Sequence, residues 1–154
     1  MTLCICTYTF AGMDDIETIG ACNCFALRQA TRFVTQMYER HLSAAGVTPA
    51  QFSIIAILSR RPDVLMSELA DALVMDRTTL LRALKPLQRD GLVASAPSDH
   101  DPRAHVLNLT KQGVRAFGQA KRAWQAAQRE FEAEFGEQRA QALRDELLQL
   151  TGKR

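Results

Sequence analysis

Apolar residues recur at helical spacing along most of the chain. From Ile16 to about Ala45, at about 100° per residue, they fall on two faces. One face holds Cys24, Leu27, Val34, Tyr38 and Leu42; the other holds Ile19, Cys22, Ala26, Ala30, Phe33 and Met37. Arg28, Arg32, Gln36 and Glu39 fill the polar strip between them, and Gly46 offers a C-cap. A helix apolar on two sides is sandwiched, which in so short a chain predicts a subunit interface.

Thr48-Pro49 opens a second helix, with Phe52, Ile55, Ala56 and Leu58 as its buried face, and Arg61-Pro62-Asp63 ends it. A short helix follows over about Ser67 to Leu73, then a turn at Val74-Met75. Asp76 is a good N-cap for a helix from Arg77 to Asp90, which stops at Gly91. Leu92–Ala96 and Ala104–Leu109 are predicted as two strands joined by a polar turn, Pro97 to Arg103, forming a hairpin. Thr110 caps a long helix whose stripe is Val114, Phe117, Ala120, Trp124, Ala127, Phe131 and Phe135. Gly136 breaks it, and a last helix is expected to bury Ala140, Leu143, Leu147 and Leu150. The expected fold is mainly α with a small β-hairpin. Residues 47–110 have the order of a winged helix-turn-helix, and the outer helices are too many and too apolar to serve that module alone.

Composition narrows the function. The chain is 47% hydrophobic, enough for a real core, and its 8 Gly and 5 Pro argue against a turn-rich all-β fold. Lys plus Arg total 19 against 17 acids. That balance excludes a histone-like polycation but not a local nucleic-acid surface. No apolar run approaches the roughly 20 residues of a membrane span, so no membrane partner is expected. Residues 1–13 have the look of an extension, possible start Met13, without the basic flank of a secretory signal. Cys4, Cys6, Cys22 and Cys24 crowd the N-terminal part, unlike a disulfide framework. A cytoplasmic location with free thiols is expected.

The helix from Arg77 carries the candidate chemistry. It has Arg77, Arg82, Lys85 and Arg89 and no acid before Asp90. Thr78, Arg82, Lys85 and Arg89 share one narrow sector, opposite Leu80, Leu84 and Leu87. An apolar back and a cationic, hydroxyl-bearing front suit a helix lying in a DNA major groove. A solvated basic face is the plain alternative; the short helix before and the hairpin after favour DNA. Arg103, beside Asp101, would be steered toward the minor groove or its phosphates. His100 and His105 with Asp99 and Asp101 match no strong ligand spacing, so no metal is expected.

These residues resemble the MarR (multiple antibiotic resistance regulator) family from about Ala21 to Leu150. The resemblance rests on S-E-L-A (Ser67 to Ala70), M-D-R-T-T-L (Met75 to Leu80), L-x-x-L-x-x-x-G-L-V (Leu84 to Val93) and D-P-R-x-x-x-x-x-L-T (Asp101 to Thr110). It implies one domain over 14–154, with dimerisation helices at 14–46 and 111–154. It also implies a homodimer on a pseudo-palindromic double-stranded operator, a repressor released by a small ligand or by oxidation. No enzyme activity and no cofactor are expected. On this pattern Thr78, Thr79 and Arg82 would approach base edges. Ser67, Lys85 and Arg103 would approach phosphate or the minor groove, with Arg77 and Arg89 adding charge. Three departures stand out. Leu65 replaces the usual Thr cap, Pro86 lies inside the recognition helix and should bend it, and no second Arg follows closely after Arg103.

The switch stays open between two routes. Some relatives sense organic peroxides through a cysteine near Cys22 and Cys24, and Tyr38 falls on the helical face of Cys24. Arg28 and Pro49, however, stand where the sensing pattern has tyrosines, and buried cysteines are usually plain core residues. The other route is an aromatic or phenolic effector, for which Arg28 and Arg32 offer cations and Phe33 and Phe52 walls. A thiol oxidoreductase using Cys22 or Cys24 is the enzymatic alternative; it lacks C-x-x-C and any cofactor loop. A pure protein-interaction module would leave the basic helix without a role.

Overall fold

The computed structural model describes residues 19–99, 101 and 104–152. The N-terminal extension, His100 and Arg103 lie outside them. The chain divides into two compact units at Gln36–Met37.

In the first unit, Ile19 and Gly20 are helical, but the chain turns at Ala21 and Cys22, and helix α1 (Asn23–Leu42) begins only afterwards. The expected uninterrupted helix from Ile16 is therefore broken. Gly20 is a poor helix residue and Asn23 favours ends over interiors. Phe25, Leu27 and Phe33 are exposed, Phe33 by 60%.

In the second unit, the end of α1 buries Met37 and Leu42 before a 3-10 turn (Ser43–Ala45) and Gly46 at φ 70°. Helix α2 (Pro49–Leu58) starts at a reciprocal cap. The Gln51 N–H donates to Thr48 Oγ1 (3.2 Å), and the Thr48 N–H donates to Gln51 Oε1 (2.9 Å). Buried Phe52, Ile54, Ile55 and Leu58 make α2 the central helix of the core. Ile54 was not on the expected face, because a helix surrounded by protein is apolar nearly all round and has no clear face to predict. Phe52 stacks on Phe117 and Trp124, ring centres 6.0 and 5.8 Å away.

Strand β1 (Val64–Leu65), helix α3 (Met66–Leu73), helix α4 (Arg77–Arg89), and strands β2 (Val93–Pro97) and β3 (His105–Leu109) follow. The sheet is antiparallel in the order β1-β3-β2, with Val64 opposite Leu107 and Val93 opposite Leu109. The expected hairpin thus gains a third strand, too short at two residues to show a period.

Helix α5 (Lys111–Phe135) is capped by Thr110, whose Oγ1 accepts the Gly113 N–H at 3.0 Å and donates to the Gly91 carbonyl at 2.6 Å. Its buried line is Gly113, Ala120 and Ala127, with Phe117 and Trp124 packed against the core. Val114, expected on that line, is 58% exposed. Gly113 takes its place, because a Cβ there would lie 2.0 Å from the Leu92 carbonyl oxygen. Gly136 (φ 92°) separates α5 from helix α6 (Glu137–Leu150). Of the four residues expected to be buried in α6, only Ala140 is; Leu143, Leu147 and Leu150 are exposed within one chain. No single helix among the described residues is long and apolar enough to cross a membrane.

Candidate nucleic-acid interface

The site is built from α3, α4 and the three-stranded wing. Leu65 precedes α3 without a side-chain acceptor, but the Glu68 carboxylate turns back to accept the Leu65 N–H at 2.9 Å. Arg61 pairs with the same carboxylate at 2.7 Å. The Leu65 backbone hydrogen bond, then Arg61, hold Glu68 below its ordinary pKa. Glu68 thus starts the helix in the absence of a Thr cap. The helix ends in a Schellman turn: Met75 N–H donates to the Ala70 carbonyl (2.9 Å) and Val74 N–H to that of Asp71 (3.2 Å). Val74 sits there in the left-handed region at φ 53°, where glycine is usual.

Asp76 then caps α4. Its carboxylate accepts the Thr79 N–H at 2.9 Å and the Thr79 hydroxyl at 2.6 Å. These bonds, the hydroxyl first, hold Asp76 below the usual carboxylate range. A second Schellman turn closes α4: Leu92 N–H to the Leu87 carbonyl (2.8 Å), Gly91 N–H to that of Gln88 (3.0 Å), with Gly91 at φ 68°. Leu80, Leu84 and Leu87 are buried, while Thr78, Arg82, Lys85 and Arg89 are all exposed. The helix continues through Pro86 to Arg89. Its cations are not equal. Arg89 is clamped to Asp90 through Nε (2.8 Å) and Nη2 (3.2 Å), which raises the pKa of Arg89 and lowers that of Asp90. Arg77, Arg82 and Lys85 have no ion pair among the described residues. Ser67 is exposed in the first turn of α3. The hydroxyl of Thr79 is drawn into the cap, whereas that of Thr78 is outside it.

A pair absent from the sequence reading fixes the wing. The Asp63 N–H donates to Asn108 Oδ1 (2.8 Å), and Asn108 Nδ2 donates to Asp63 Oδ1 (2.7 Å). It ties β3 to the loop before α3. An Asn between Leu107 and Leu109 of β3 was the available signal. Beside it lies a cleft of about 580 Å³ with Asp63, Glu68, Asp99 and Asp101 among its lining. Those carboxylates disfavour phosphate, so the cationic surface is α4, not the cleft. Among the described residues no three His, Cys, Asp or Glu side chains are grouped to hold a metal.

A family model described as MarR family matches residues 45–104, the span of this module. The M. tuberculosis transcriptional regulator MosR, solved in complex with DNA, is 35% identical; the match covers 85% of this chain and 94% of MosR at a TM-score of 0.76. The chain belongs to the MarR family of DNA-binding transcription regulators. It is also 29% identical to the homoprotocatechuate degradative operon repressor of Escherichia coli, over 77% of this chain and 80% of that one. A Thauera aromatica relative named for the hcr operon is 27% identical over 73% of this chain, which spans 63% of that relative's length.

The MarR chain places its remaining candidates as follows. Cys22 is half-buried and precedes α1, rather than lying a turn inside it; Cys24 is exposed. Arg28, Arg32 and Phe33 are exposed on α1. Phe52 lies in the aromatic stack of the core. The Tyr38 hydroxyl donates to Gln128 Oε1 at 2.6 Å, Gln128 Nε2 donates to Glu132 Oε1 at 2.7 Å, and Arg144 lies 3.8 Å from that carboxylate. Burial first, then Glu132, raises the Tyr38 pKa. Arg40 and His41 both bind Glu130, each at 2.5 Å, and His41 first holds Glu130 below its ordinary pKa. These polar links join the end of α1 to α5, and α5 to α6. Sequence periodicity does not display the links from α1 to α5, because their partners lie about 90 residues apart.

Proposed function

We propose that the protein is a cytoplasmic homodimeric repressor that holds a pseudo-palindromic operator with one α4 from each protomer. The observation that carries this reading is α4 itself: Leu80, Leu84 and Leu87 are buried, and three cations without an ion pair among the described residues stand on the outside with Thr78. Thr78, Thr79 and Arg82 address base edges. Ser67, Arg77, Lys85, Arg89 and Arg103 address phosphates or the minor groove. The dimer is supported by apolar residues left open on both terminal helices, Phe25, Leu27 and Phe33 on α1 and Leu143, Leu147 and Leu150 on α6. The dimerisation parts are then 14–46 and 111–154, around a module at 47–110.

For release, we favour a small aromatic acid or phenol, in line with the name of the homoprotocatechuate operon repressor. Arg28 and Arg32 supply cations for it, and Phe33 supplies an apolar wall. The second reading is a thiol switch, favoured by the exposure of Cys24. One titration tests the operator reading and both routes of release. A duplex selected from a random library by the wild-type protein is bound at moderate salt, then challenged with homoprotocatechuate or an organic hydroperoxide. The proposal expects a sequence preference and release by the aromatic acid. Release by hydroperoxide in wild type but not in Cys24→Ser moves the switch to the thiol. Equal binding to random duplex refutes the operator reading.

A further inference from the structure

Leu81 is an apolar side chain with no place in the core. It is 44% exposed, while Leu80, Leu84 and Leu87 of the same helix are fully or almost fully buried. It is absent from the hydrophobic core and from the partly buried residues packed against it, which include its neighbour Ala83. At helical spacing its surface neighbours are Arg77 (i−4), Thr78 (i−3) and Lys85 (i+4), with Arg82 following it. All four of these neighbours are exposed. An exposed leucine among cations and a hydroxyl leaves apolar surface in water in the free chain. It lies in the second turn of a helix whose N-terminal turns are the part that reaches base edges.

The major groove offers one apolar feature, the C5-methyl of thymine. We infer that Leu81 is a specificity-determining residue, packing on a thymine methyl in each half-site and selecting T over C at that step. This rests on the reading of α4 as the groove helix and adds to it an apolar base contact beside the polar ones. Arg77 and Lys85 flank Leu81 along the helix, so phosphate contacts on both sides would press it against the groove floor. Cytosine, lacking the methyl, leaves the leucine against a polar edge.

The test removes the methyl without changing pairing. From a duplex selected by wild-type protein, each thymine pair is replaced in turn by deoxyuracil, and affinities are measured for wild type, Leu81→Ala, Leu81→Met and Arg82→Ala. Burying one methyl is worth about a four-fold change in affinity, so a symmetric pair gives about fifteen-fold. Wild type and Leu81→Met are expected to lose that much at one symmetric position. Leu81→Ala is expected to lose little there, and Arg82→Ala to keep the methyl effect at a lower overall affinity. Leu81 is exposed, so Leu81→Ala keeps its fold, checked by unchanged thermal melting. If wild type and Leu81→Ala respond alike at every thymine, the inference falls while the groove reading stands. If selection yields no preferred sequence, both fall.

Discussion

Gly113 has no room for a side chain: a methyl group there would meet the Leu92 carbonyl oxygen at 2.0 Å, a backbone atom that cannot swing away. Gly113→Ala is therefore expected to lower stability by about 3 kcal/mol, read as a shift of the urea midpoint at constant slope. Val74 is the opposite case. Its φ of 53° costs a side-chain-bearing residue about 1 kcal/mol or more, and it is exposed. Val74→Asn is expected to raise the melting temperature by a few degrees with DNA affinity unchanged. Asp76 gives a pH signature. Its folded pKa lies below its unfolded value, so its contribution is complete above about pH 4 and is lost as pH falls through the folded value. Asp76→Asn still caps but does not titrate. The melting-temperature difference between wild type and this variant should be constant at neutral pH and change only below about pH 4. The caps at Asp76 and Thr110 were legible, because a cap is a local arrangement of residue types. The Asp63–Asn108 pair spans 45 residues, and no local rule reports it.

The helices whose apolar faces meet their own chain were legible as elements. The stripe of α4 predicted its buried leucines, and the motif spacing predicted the turn before it. Two kinds of element escaped. Strand β1 has only two residues, so its pairing with β3 is fixed by the fold and not by alternation. The stripe of α5 was misplaced at its start because a glycine, not an apolar side chain, occupies the closest packing position. At this scale the division of labour along α4 is testable. Arg82→Ala is expected to cost specific affinity about ten-fold or more while leaving random-duplex binding nearly intact. Lys85→Ala is expected to weaken both alike and to flatten the salt slope by about one. Equal losses on selected and random duplex for both variants would undo the assignment.

At the scale of the molecule, the leucines of α6 explain where the burial prediction failed. Leu143 and Leu147 have the spacing of a core stripe, yet stay exposed in the single chain. A sequence stripe does not say whether the partner surface belongs to the same chain or to a second copy. Leu147→Glu is accordingly expected to shift the protein toward monomer in sedimentation and to weaken DNA binding with the wing and α4 intact. The central claim is that two copies place their α4 helices on one duplex. Its most direct measurement is the stoichiometry and affinity on a selected duplex, compared with the same duplex carrying one scrambled half-site. The account predicts two chains per intact duplex and a loss of at least about a hundred-fold on the half-scrambled one, since several base contacts vanish together. One chain per duplex, with affinity indifferent to the second half-site, would contradict it.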